Sequence, residues 1–234
     1  VKIGLFADTH YCEAQTLEQN RKPRRAYEAV KKAFDDFKLN NVEVVICMGD
    51  LIHYNDSTEI SVEHLKKMAA LIHSYSIPCY ICLGNHDYEV LNREDYEKIS
   101  GIKTAPCIIE NKNTRLILLD AGYTPDAKKF NQGEVDWTVS YVPEEELKWL
   151  DDQLETDKKC AVFIHQNIDV NVEEHHIVSN ADEINAVISR HKNVSHVYQG
   201  HYHYGAENVI NSVLYTTIRA MCIGDENNYK IVEV

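Results

Sequence analysis

A chain of 234 residues with 24 Lys and Arg against 37 Asp and Glu carries a net charge of −13, with 44% hydrophobic and 26% charged residues. That composition excludes a disordered chain, collagen and a disulfide-stapled scaffold. It also argues against broad binding to nucleic acid, whose phosphates call for Lys and Arg. No apolar run approaches the ~20 residues that cross a bilayer and no signal-peptide pattern opens the sequence, so no membrane association is expected.

The length suits a single α/β domain over residues 1–234. In chain order, residues 2–7 read as a short apolar strand. Residues 24–39 read as a helix, with Tyr27, Val30, Phe34 and Phe37 on one stripe and Pro23 just ahead of it. Residues 42–48 form a continuous apolar strand of the buried kind, 59–75 a second helix, and 77–83 a third strand. This β-α-β-α-β opening implies parallel strands joined by helical crossovers. Residues 105–110 and 114–119 read as a hairpin, 121–142 as irregular chain, and 143–154 as a helix. A strand at 160–165, a helix at 181–191, and strands at 194–199, 209–217 and 229–234 complete the pattern. The expectation is two packed sheets with helices outside.

Seven cysteines at irregular spacing sit mostly in strand-like runs. Cys79 and Cys82 have the C-x-x-C spelling, but three residues apart on a strand they point to opposite faces, so neither a zinc nor a redox role is expected. Buried thiols fit a reducing compartment, hence the cytoplasm.

Five strands end in short polar segments: Asp8-Thr9-His10, Gly49-Asp50, Gly84-Asn85-His86-Asp87, His165-Gln166-Asn167 and Gly200-His201-Tyr202-His203. Ligands of α/β sheets bind outside the carboxyl ends of strands, so these five ends should share one rim. Each fragment alone is common by chance. Together they offer carboxylate, amide and imidazole donors, which suit Mn, Fe, Zn or Co, in numbers sufficient for two ions sharing one carboxylate.

The ordered set D-x-H, G-D, G-N-H-[DE], H and G-H-x-H resembles the calcineurin-like metallophosphoesterase superfamily, block for block over residues 3 to 203. The resemblance implies a four-layer α/β/β/α sandwich of two mixed sheets flanked by helices. It implies two divalent cations, one held by Asp8, His10, Asp50 and His203, the other by Asp50, Asn85, His165 and His201, with Asp50 as the bridge. It further implies that His86 and Asn85 face the substrate and that His86 protonates the leaving oxygen. The activity expected is dinuclear metal-dependent phosphoester hydrolysis by a metal-bridging hydroxide, on small phosphodiesters or nucleotides. Asp87 suits either of two roles, orienting His86 or capping the turn that follows.

Two branches of the superfamily compete. Leu116–Asp120 followed by the Trp149-Leu150 helix resembles the L-D … Q-x-x-W-L stretch of cyclic-nucleotide and glycerophosphodiester phosphodiesterases, with Glu146 in place of Gln. Gly49-Asp50-Leu51-Ile52-His53 and His165-Gln166-Asn167 resemble the Mre11 and SbcD exonucleases, here without their capping domain. That second resemblance makes His53 a further catalytic candidate, reaching the cleft from the side opposite His86. Arg21, Lys22, Arg24 and Arg25 read as the solvated start of the first helix, or as a site for a second phosphate. Tyr11, Tyr88, Tyr202 and Tyr204 flank the motifs, and His175-His176 reads as surface with a lid role open to it.

Overall fold

The computed structural model describes residues 1–55, 57–133, 135–224, 226 and 228–234. Strand β1 (Lys2–Phe6) is followed by helix α1 (Ala26–Leu39), β2 (Val44–Cys47), α2 (Thr58–His73) and β3 (Cys79–Ile81). Then come α3 (Asn85–Val90), α4 (Arg93–Ser100), β4 (Lys103–Thr104), β5 (Cys107–Glu110) and β6 (Thr114–Leu118). The rest is α5 (Glu144–Leu154), β7 (Lys159–Ile164), α6 (Ala181–Arg190), β8 (Val194–Gln199), β9 (Ala206–Ile210), β10 (Val213–Thr217) and β11 (Tyr229–Glu233).

The strands form two mixed sheets, in the orders β11-β1-β2-β3-β4 and β5-β6-β7-β8-β10-β9. In the first, β1 through β4 run parallel and β11 pairs antiparallel to β1. In the second, β6, β7, β8 and β10 are parallel, and the edge strands β5 and β9 are antiparallel. The period-two alternation of each strand sorts its side chains between layers. Ile3 and Leu5 of β1, Val44 and Ile46 of β2, Leu116 and Leu118 of β6, and Ala161 and Phe163 of β7 pack together between the sheets. The intervening residues face outward. Phe6, Val45 and Cys47 meet Phe34 and Phe37 of α1 and Leu65 and Met68 of α2. Val162 and Ile164 meet Leu150 of α5 and Ile184 and Ile188 of α6. The result is the expected α/β/β/α sandwich.

Local signals account for several element ends. Helix α2 starts where the Ser57 hydroxyl accepts the Ile60 N–H at 3.3 Å. Helix α1 starts two residues later than expected, because Pro23–Arg25 forms a 3₁₀ turn. The expected strand 209–217 is instead a hairpin: Asn211 and Ser212 take φ 50° and 70°, the left-handed pair of a two-residue turn between β9 and β10. Helices α3 and α4 lie in a stretch for which the sequence predicts no element. Trp149 lies on α5, packed against the outer core. The seven cysteines form no disulfide among the described residues. Among those residues, no helix is long and apolar enough to cross a membrane.

Candidate dinuclear metal site

The loops that leave β1, β2, β3, β7 and β8 meet at one rim, where hydrogen bonds run from one loop to the next. Asp8 N–H donates to the Gly49 carbonyl (3.0 Å) and His10 N–H to the Asp50 carbonyl (2.9 Å). His201 N–H donates to both oxygens of Asp8 (3.2 and 3.1 Å), and His86 N–H to Asp50 Oδ1 (2.9 Å). This weave places Asp8, His10, Asp50, Asn85, His165 and His201 in the interior. His203 is at its edge.

Two glycines make room for it. Gly49 sits at φ 100°, a left-handed conformation, and an added Cβ there would meet the Cys82 carbonyl at 2.6 Å. Gly84 needs no unusual φ. Its Cβ would fall on the Asp50 carboxylate and 2.7 Å from His165 Nε2, so the residue is glycine because the metal-side groups occupy that space.

The donor atoms fall into two overlapping groups. On one side, His10 Nε2 and His203 Nε2 are 3.0 Å apart, and Asp8 Oδ1 lies 3.5 Å from His203 Nε2. On the other, Asp50, His165 and His201 converge, with Asn85 on the wall of the same cleft. Asp50 Oδ2 belongs to both groups: it is 3.6 Å from His10 Nε2 and 3.5 Å from His165 Nε2. Asp50 Oδ2, Asn85 Oδ1, His165 Nε2 and His201 Nε2 are all buried without a hydrogen-bond partner among the described residues. Buried polar atoms are ordinarily paired. Four lone-pair donors left bare at one site fit divalent cations. The His165 ring is set for this, since its Nδ1–H donates to the Met48 carbonyl and leaves Nε2 as the bare nitrogen. Burial drives His10 and His201 well below the usual histidine range, which keeps both rings neutral and ligand-ready.

His86 and His53 stand beside this group, next to each other and not on opposite sides as expected. Their ring centroids are 4.6 Å apart, and His10 is 4.7 Å from His86. Burial pushes His53 down to about 3, helped by the charges of His86 and Arg21. For His86 the burial effect is outweighed by Asp50 and by a hydrogen bond to Glu89, and its pKa rises. Glu89, one helical turn after His86, accepts from Nδ1 at 2.8 Å. Asp87 does not orient His86. It accepts from the N–H groups of Gly84, Leu51 and Ile52 and from the Tyr96 hydroxyl, tying the β2 and β3 loops together.

The cleft above these groups has a volume of about 380 Å³, with Arg21, Trp137, His176 and Tyr204 on its walls. Trp137 comes from the irregular segment and lies 5.5 Å from His176 and 6.0 Å from His201, ring to ring. His176 in turn lies 5.2 Å from His201, so the His175-His176 turn borders the site instead of standing apart. The flanking tyrosines divide. Tyr204 is exposed at the cleft and Tyr202 packs on His176. Tyr11 and Tyr88 are core residues whose hydroxyls reach Glu13 and Asp120. The basic cluster divides too. Arg21 turns into the cleft, while Lys22, Arg24 and Arg25 line a larger groove of about 910 Å³ along α1, whose walls include none of the ligand residues. Volume does not locate the chemistry here; the bare donor atoms do.

A two-centre cluster of Asp, Asn and His at the strand ends of such a sandwich defines a metal-dependent phosphoesterase. The chain belongs to the calcineurin-like phosphoesterase family, whose pattern matches residues 1–205. It is 24% identical over 209 residues to a probable cyclic nucleotide phosphodiesterase of Fibrobacter succinogenes, covering 87% of this chain and 73% of that protein. Its fold is similar to that of a dimetal phosphatase from Danio rerio, with a TM-score of 0.79 at 18% identity over 94% of this chain and 88% of the other. It is also similar to the protein TT1561 of Thermus thermophilus, with a TM-score of 0.61 at 11% identity over 99% and 97% of the two chains.

Proposed function

We propose that the protein hydrolyses phosphoester bonds in small phosphodiesters or nucleotides with two divalent cations, one held by Asp8, His10, Asp50 and His203 and the other by Asp50, Asn85, His165 and His201. The observation that carries this reading is the position of Asp50 Oδ2, bare and nearly equidistant from His10 Nε2 and His165 Nε2. The Fibrobacter relative supports the phosphodiester class. Two cations, when bound, supply Lewis-acid polarisation of the phosphoryl oxygens and acidify water.

The chain's own residues do the rest. Asn85 and His86 bind the phosphate at the cleft floor. Glu89 holds the proton of His86 on Nδ1, so Nε2 is the atom that gives a proton to the departing oxygen when the ring is charged. His53, packed against His86, limits where the phosphate sits. The Trp137–His176 wall narrows access to water and to bulky substrates. Metal analysis of wild type and Asp50→Asn, with hydrolysis of matched mono- and diesters after metal removal and Mn reloading, tests the reading. One retained ion in wild type would refute it.

The pairing of His53 with His86 also favours a second reading, a metal-dependent DNA exonuclease, and against it stands the net charge of −13. Release of nucleotides from duplex DNA at rates matching small diesters would select that reading.

A further inference from the structure

Arg21 reaches the catalytic cleft from the segment between the first ligand loop and α1, a position no motif marks. Its side chain is buried and lines the same cavity as Asp50, His86 and His203. Its hydrogen-bond contacts among the described residues are Nε to the Glu18 carbonyl at 3.1 Å and Nη1 to His10 Nδ1 at 3.4 Å. Neither supplies a negative charge, and a buried guanidinium without one is costly. The second contact fails as a hydrogen bond once His10 serves as a ligand through Nε2, because the ring then keeps its proton on Nδ1 and two donors face each other. The Nε bond fixes the side chain's direction, with Nη1 beside His10 and the residue on the cavity wall. A planar guanidinium in that position matches phosphate oxygens in charge and shape.

We propose that Arg21 is an anion-binding position of the catalytic cleft, and that the preferred substrates are phosphates carrying at least two negative charges. The oxygen it takes is the third oxygen of a monoester dianion or an oxygen of the adjoining phosphoryl group of a diphosphate. The assignment rests on the phosphoesterase reading above and selects its nucleotide arm over its simple-diester arm: a simple diester monoanion has no spare charged oxygen for Arg21.

The test uses the metal-loaded protein and the variants Arg21→Gln and Arg21→Lys. Calorimetry with inorganic phosphate should show affinity about 10- to 100-fold weaker in Arg21→Gln, the loss of one charge-assisted contact, with metal content unchanged. Arg21→Lys should recover part of it. Among substrates, kcat/KM should fall about ten-fold more on p-nitrophenyl phosphate than on bis-p-nitrophenyl phosphate. A larger fall on a nucleoside diphosphate than on the monoester would assign the adjoining phosphoryl group, and a smaller one the monoester oxygen. Unchanged phosphate affinity, equal losses on diester, monoester and nucleoside diphosphate, or loss of metal from both variants would overturn the proposal. If wild type hydrolyses none of these esters, the phosphoesterase reading fails, while the phosphate calorimetry still reads Arg21 directly.

Discussion

Replacing Glu146 by Gln should stabilise the protein at alkaline pH and change little in mild acid. Glu146, on α5, accepts the Tyr123 hydroxyl through Oε1 at 2.9 Å, while its Oε2 is buried without a hydrogen-bond partner among the described residues. Burial first, and then the nearby Asp120, raise its pKa from 4.5 to about 7. Because the folded-state value is raised, the folded chain binds a proton more tightly than the unfolded chain between those two values. Stability is therefore full below the unfolded pKa and is lost as pH rises through the folded one. At 1.36 kcal/mol per unit, a displacement of that size costs about 3 kcal/mol above pH 7. Gln keeps an oxygen for Tyr123 and cannot ionise. For a chain of this length the gain corresponds to a Tm about 6–12 °C higher than wild type near pH 8.5, shrinking to nothing near pH 4.5. Melting curves of the two proteins across that range, at fixed metal content, measure the difference. A difference that is independent of pH, or a less stable variant at pH 8.5, would refute the reasoning. The stretch that resembles cyclic-nucleotide phosphodiesterases carries Gln at this place, so the substitution suits the local packing.

Asp50→Asn should lose both cations together, since one carboxylate serves both groups; metal analysis that finds one ion retained at full occupancy would separate the sites. His86→Ala should keep its metals and lose roughly 10²–10⁴-fold in kcat, with a smaller loss on nitrophenyl esters than on alkyl esters, whose leaving oxygen needs the proton. Glu89→Ala should lower kcat about ten-fold or more and Glu89→Gln should restore part of it, with the acid limb of the pH–rate profile displaced in both. Gly84→Ala should lose metal outright, because the new methyl occupies the place of the Asp50 carboxylate and His165 Nε2; a variant that binds metal as wild type does would mean that the β3 loop is free to move.

The residues that gather at the rim are legible in the sequence because each directly follows a strand, and strand ends are marked by apolar runs that stop at Gly, Asp or His. The two-sheet sandwich is legible for the same reason: buried parallel strands announce themselves as short apolar blocks between helical periods. What escapes has no periodic signal. Helix α3 begins inside a ligand motif and runs from Asn85 to Val90, too short for an amphipathic stripe. Without that helix Glu89 does not fall under His86, and the sequence offers only the adjacent Asp87 as its partner. Helix α4 does carry end signals, the Asn92 side chain accepting from Asp95 N–H and Gly101 at φ 67°. The hairpin at residues 211–212 is hidden because Asn-Ser lacks the glycine that usually marks such a turn. Arg21 is legible only as one member of a basic cluster for which a second phosphate is one of two readings, and Trp137 is not legible at all. Their place in the cleft is decided by how two loops fold back over the rim, and nothing in the spacing of those loops records it.

Four of the candidate ligands share a property that ties the fold to the chemistry. Asp8, His10, Asp50 and His201 take φ values of 52°, 45°, 50° and 65°, a region that residues other than glycine avoid at a cost of roughly 1–2 kcal/mol each. None of them is glycine, so the conformation must be imposed from outside the residue. The hydrogen bonds that impose it run between loops: Asp8 N–H to Gly49, His10 N–H to Asp50, Cys222 N–H to the Asp8 carbonyl, and His201 N–H to the Asp8 carboxylate. Each loop is thus held by another strand's loop, and each of those strands is locked by its sheet. It follows that the polypeptide itself sets where the ligand atoms converge. The mutual repulsion and desolvation of these groups is borne by the sandwich beneath them, which is why the ligands sit at the ends of central strands and not at the edges of the sheets.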